Sequence, residues 1–290
     1  MATDFESGGL KEVELEAGVV RYRELGRGEP LVFVHGVLVN GNLWRKVVPG
    51  LAEDYRCIVP DLPLGGHTAP ISPGADLSVS GLARLISDFF DPLDLREATL
   101  VANDTGGAIS QVFVARYPER VSRFVLTNAD AFENFLPPLL RPLQWSVRVP
   151  GFVSLLSLLL RPHLAQRALF ASVAKYPVER RVMEAYLAPL LEDGRVRSDL
   201  RKVVRGISNR YTIEAAESFP GFEKPVLLAW GTDDRLLFPY RYAERLAERF
   251  PFATLEKVPD ARTFVPEDNP ERLVELIQDF MESKPYVGKG

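Results

Sequence analysis

The chain contains one cysteine and three histidines, and no apolar stretch in it is long enough to cross a bilayer. Cys57 has no partner for an internal disulfide, so a reducing compartment is expected. Met1 to Leu10 is polar and acidic, without the positive region and apolar stretch of an export signal. It reads as a short leader outside the fold, and the expected location is cytoplasmic. The longest apolar run, Val149 to Leu160, is broken by Pro150 and stopped by Arg161-Pro162. It falls short of the roughly 20 residues that a membrane helix needs. An excess of positive charge is also missing. At a net charge of -4 and a sequence pI near 5.6, the chain as a whole attracts neither nucleic acid nor an anionic membrane, and any basic footprint has to be local. The expected partner is a small-molecule substrate, with no nucleic acid and no membrane, and a homodimer is compatible with the sequence. No His or Cys cluster has metal-ligand spacing, and Asp104-Thr105-Gly106-Gly107 lacks the lysine of a phosphate loop. Neither metal nor cofactor is implied.

What the chain does have is a regular alternation of short apolar runs and helical periodicity. Val13 to Leu15 and Val19 to Leu25 alternate around Gly18 as an edge hairpin. Leu31 to Val34, Cys57 to Val59, Thr99 to Val101, Phe124 to Leu126, Val226 to Ala229 and Leu255 to Val258 suit strands covered on both faces. Helices are predicted over Leu43 to Ala52, Val79 to Phe90, Thr105 to Tyr117, Tyr240 to Phe250 and Glu267 to Glu282. The fold class is α/β, a mostly parallel central sheet flanked by helices on both faces. From about Glu133 to Ala215 the alternation lapses into helical segments, which predicts a core of residues 1–132 and 216–290 with a helical cap at 133–215. That segment has 13 Lys or Arg against 7 Asp or Glu, so it carries +6 in an acidic chain. Solvated helix faces account for this; a basic lid favouring anionic substrates is the sharper alternative.

In open α/β sheets the site forms beyond the C-terminal ends of the strands. Leu100-Val101-Ala102-Asn103-Asp104-Thr105-Gly106-Gly107 reads as a tight elbow that lifts Asp104 out of a strained turn between small residues. A carboxylate held there can displace halide from carbon or open an epoxide, leaving an alkyl ester that water later cleaves. The plain structural reading is an aspartate capping the helix that follows. Other strand ends carry His35-Gly36-Val37, Asp61 to His67, and Trp230-Gly231-Thr232-Asp233-Asp234. Asp130 follows the Phe124 strand.

Together these motifs resemble the α/β-hydrolase fold superfamily from about Val19 to the final helix, and an aspartate at the elbow is similar to its haloalkane dehalogenase and epoxide hydrolase branch. The resemblance implies Asp104 as nucleophile, the amides of Val37 and Thr105 as oxyanion hole, and Asp234 or Asp130 as the acid that orients a histidine. It also exposes two departures. Where dehalogenases place asparagine and tryptophan to hold halide, this chain has Val37 and Thr105. Where the family keeps its base, Val258-Pro259-Asp260-Ala261-Arg262-Thr263-Phe264 has Thr263, which has no useful titration. His67 is the first candidate for a relocated base, and His163 belongs to the cap. His35, Phe132 and Trp145 are expected around the substrate pocket. The resemblance implies a hydrolase acting on a small or medium apolar substrate. The alternatives are a lyase, decarboxylase or isomerase using Asp104 as acid or base, and a non-catalytic small-ligand-binding protein of hydrolase descent.

Overall fold

A computed structural model of the chain describes residues 5–283. Eight strands form one sheet: β1 (Leu10–Leu15), β2 (Gly18–Leu25), β3 (Pro30–Val34), β4 (Arg56–Pro60), β5 (Ala98–Asn103), β6 (Val121–Ala129), β7 (Val226–Gly231) and β8 (Ala253–Val258). Their order is β1-β2-β4-β3-β5-β6-β7-β8. The β1–β2 and β2–β4 pairs are antiparallel and the rest are parallel. β5 and β7 are buried along their whole length, as parallel strands covered on both faces must be. The strand order reverses between β3 and β5, so a crevice opens at their C-terminal ends. Val34 lies opposite Ala102 in that register, which brings the loop after β3 beside the elbow after β5.

The core helices are α1 (Val48–Leu51), α2 (Val79–Phe90) and α3 (Asp104–Arg116) in the first half, and α10 (Arg241–Ala247), α11 (Val265–Asp268) and α12 (Pro270–Glu282) in the second. Two predicted helices differ for the same reason. Pro49 sits in the first turn of α1, and the Leu43 to Ala52 stretch divides into a 3-10 turn and a single helical turn. Pro270 restricts Asn269, which leaves helical geometry, caps the Arg272 amide and splits the last helix in two. The predicted leader is also corrected from Phe5 onward. Phe5 is buried in the same apolar cluster as Leu25, with the Arg23 guanidinium over its ring, and β1 begins at Leu10. Residues 1–4 lie outside the described residues.

Between β6 and β7 the chain makes no sheet strand and forms α4 (Arg141–Ser146), α5 (Phe152–Leu159), α6 (His163–Phe170), α7 (Arg180–Glu192), α8 (Gly194–Gly206) and α9 (Asn209–Ser218). The buried face of α9, with Tyr211, Ala215 and Ala216, belongs to the core cluster that also holds α2 and α3. α9 therefore packs against the core, within the residues expected to form the cap. Among the described residues no helix is long and apolar enough to cross a membrane.

Candidate active site

Asp104 follows the last residue of β5, opens α3 and adopts a left-handed backbone with φ 55°. Three glycines explain how the chain tolerates that strain. A Cβ at Gly106 would collide with the backbone of His35 and one at Gly107 with the Ala129 side chain, so the elbow closes only on glycine. A Cβ at Gly36 would run into the Asp104 carboxyl itself, which places that carboxyl against the loop after β3. There it accepts hydrogen bonds from the amides of Thr105 and Val37. The cap position of α3 is taken by Asn103 in extended geometry, so helix capping does not account for Asp104. Burial and the nearby Asp234 charge push the Asp104 carboxyl up to about 7, against the pull of the two amides. It therefore changes charge near neutrality.

Two further carboxyls surround it. Asp130 is buried, with one oxygen 3.5 Å from the Thr105 hydroxyl and the other without a partner. Burial, and after it the Asp104 charge, hold its carboxyl well above the usual carboxylate range. Asp234 accepts the Leu237 and Phe238 amides on one oxygen and the Thr263 hydroxyl, at 2.6 Å, on the other. Thr263 thus makes the contact with Asp234 that an imidazole on this loop would make.

The loop around Thr263 is rigidly held. The Asn103 side-chain amide donates to the Thr263 carbonyl at 2.7 Å, and Asp268 accepts the amides of Arg262, Lys175 and Tyr176. The Phe264 amide donates to the Val173 carbonyl. Asp233, a turn residue, pairs with Lys175, which also reaches Asp260. Asn103 and Asn128, which clasps both backbone groups of Gly231, escaped the sequence reading. Their signal was available: each is an amide at the polar end of an otherwise apolar buried strand.

The histidine expectations are corrected. His67 does not line the cavity; its Nδ1 accepts from the Gly65 amide at 3.3 Å, and its Nε2 lies 3.4 Å from Asp199 of α8. It joins the core to the insertion. His35 is also absent from the cavity wall. Its Nδ1 donates to the Gly36 carbonyl and its Nε2 accepts from the Leu62 amide, while burial lowers its pKa to about 4 and keeps it neutral. Phe132 packs in the core beneath Arg245, and Trp145 points outward at 70 % exposure. Neither lines the pocket, because the aromatic residues at the hinge serve packing and surface instead. His163 sits at the start of α6, away from the cavity.

The cavity above Asp104 has a volume of about 270 Å3. Leu140, Leu143, Val147, Leu169 and Phe170 from the insertion, with Phe238 and Phe264 from the core, form much of its wall. Asp104, Thr105, Asp130 and Ser172 supply its polar side chains. Such a wall suits an apolar substrate with one oxygen-bearing centre.

The family model for the alpha/beta hydrolase fold matches residues 29–270. The chain belongs to the alpha/beta hydrolase fold family. Within it, the chain is similar to a cis-3-alkyl-4-alkyloxetan-2-one decarboxylase of Shewanella oneidensis, 30 % identical over 277 residues, covering 90 % of this chain and 85 % of that protein. It is 27 % identical over 265 residues to haloalkane dehalogenase 2 of Mycobacterium bovis, at 90 % coverage of both. Among solved structures, an alpha/beta hydrolase fold protein from Burkholderia ambifaria superposes with a TM-score of 0.78 at 25 % identity, over 96 % of this chain and 99 % of the other.

Proposed function

We propose that this alpha/beta hydrolase uses Asp104 to open a strained oxygen ring carrying apolar chains, such as a cis-dialkyl β-lactone, which then fragments without water. The observation that carries the reading is the 2.6 Å bond from Thr263 to Asp234, together with a cavity wall that holds no histidine. A hydrolase with an aspartate nucleophile must activate water to cleave its ester, and such a base typically contributes about 100 to 10,000-fold. Decarboxylation removes that requirement.

The Asp104 carboxylate attacks the ring carbon that bears the alkyl-oxygen bond. That bond breaks, its electron pair passes to the released carboxylate, and an alkyl ester forms on Asp104. Loss of carbon dioxide then turns the carbon-carbon pair into an alkene and expels the Asp104 carboxylate. No proton is transferred and the nucleophile is also the leaving group. The amides of Val37 and Thr105 hold the carboxylate in line, and Asp130 lies on the cavity wall beside it. The Shewanella relative, named as a decarboxylase of such lactones, supports this reading. Dehalogenation shares the first step, but neither Val37 nor Thr105 carries an indole or amide donor to hold the halide.

Incubation with a cis-3,4-dialkyl β-lactone in 18O-labelled water tests the proposal. Alkene and carbon dioxide are expected with no labelled β-hydroxy acid, and Asp104→Asn should produce no alkene. A labelled β-hydroxy acid as the main product would return the site to hydrolysis.

A further inference from the structure

The outer surface of the insertion has an unusual composition. Every large side chain on the outward face of α5, Leu155, Leu158 and Leu159, is apolar and more than half exposed, and Trp145, Val149 and Leu164 extend the same surface character into the flanking segments. A folded chain rarely leaves so much apolar surface uncovered without a use for it. Between Asn134 and Val178 there is no Asp or Glu, whereas Arg141, Arg148, Arg161 and Arg167 all lie exposed in that stretch. Among the described residues none of these four arginines forms an ion pair. Leu139 and Leu236 are both mostly exposed and both line the cavity, so the mouth above Asp104 opens close to this surface.

We infer that this face of the insertion docks on an anionic lipid bilayer, which delivers apolar substrate to the cavity mouth. Leucines and a tryptophan enter the headgroup boundary while the arginines meet lipid phosphates, the pattern of a protein that lies on a membrane without crossing it. The charge selects this occupant over a second copy of the chain, because a symmetric contact would press unpaired arginines against their own images. The whole-chain charge of -4 concealed the patch, since the remaining chain is acidic enough to outweigh it. Docking is independent of which reaction Asp104 performs.

Sedimentation of the full chain with vesicles of phosphatidylcholine alone, and of phosphatidylcholine mixed with phosphatidylglycerol, tests the inference without any turnover. Binding is expected only to the mixed vesicles and should fall as salt is raised. Replacing three charges together, Arg148→Gln, Arg161→Gln and Arg167→Gln, should weaken it about 100-fold, roughly five-fold per charge. Leu155→Ser, Leu158→Ser and Leu159→Ser together should weaken it at least about 10-fold with every charge retained. Both variants should melt with the parent, since the altered side chains face outward. Equal binding to the two vesicle types, binding to neither, insensitivity to the leucine changes, or a concentration-dependent dimer that covers this face would each overturn the inference.

Discussion

The elbow after β5 and the loop after β8 face each other across the C-terminal edge of the sheet, and they differ in what their rigid frames present. At the elbow, glycines on two segments and a left-handed backbone all serve to present a single carboxyl to two amides. In the loop after β8 the shape is held just as firmly, by Asn103 on one side and Asp268 on the other, yet the residue at its crest is a threonine satisfied by Asp234. Loop geometry and loop chemistry are therefore separable. The loop retains a reason to be rigid without a base, because the bonds from Asp268 to Lys175 and Tyr176 fasten the insertion over the cavity.

The contrast is broken most severely at the elbow. On the proposed reading, Asp104→Asn preserves shape and removes the nucleophile, so turnover should fall by about 10,000-fold or more while the circular dichroism spectrum is unchanged. Retained turnover would mean that the reactive group lies elsewhere. In the opposite loop the corresponding lesion is one of stability. Asp268→Ala strands three amides at once and should cost about 3 kcal/mol, read as a lower denaturation midpoint and faster proteolysis near residue 175.

Acidity sharpens the comparison further. On the proposed reading Asp104 reacts when ionised, and with its carboxyl pushed up to about 7, kcat/KM should fall about 10-fold for each pH unit below that value. The stability consequence has the opposite sense. A carboxyl raised from 3.8 to about 7 on folding makes the native state bind more protons, so stability declines as pH rises across that window and levels off above it. The gain in melting temperature of Asp104→Asn over the parent should therefore grow from about pH 4 to about pH 7 and then stay constant. The smallest effect is expected from Thr263→Val. It leaves one oxygen of Asp234 without its donor, at about 1 to 2 kcal/mol, and changes turnover less than about three-fold. A large rate loss there would give the threonine hydroxyl a chemical part.

The architecture was legible because its signals are local. Apolar runs, an elbow framed by glycine and a threonine in a strongly patterned loop can each be read within a few residues. The strand assignments and the approach of Asp104, Val37, Thr105, Asp130, Asp234 and Thr263 follow from such signals. What the sequence obscured depends on where side chains point after the insertion folds back. His67 follows a strand end and looked free to reach the mouth, but Asp199, 132 residues later, occupies it. Trp145 and Phe132 are aromatic residues near a hinge, and nothing in their spacing distinguishes a wall from a surface or a core. The true wall is mostly leucine and valine from the insertion, whose residue types look the same in any packed core.

Gly36 has a consequence for how this protein can be studied. Its missing side chain leaves the space that an Asp104 carboxyl oxygen occupies, so the main chain there shapes the vessel around that carboxyl. Adding one methyl group at that position would plug the vessel from below while every charged group stayed in the protein. On the proposed reading such a protein is a silent twin of the parent, suited to separating what the cavity does from what the outer surface does.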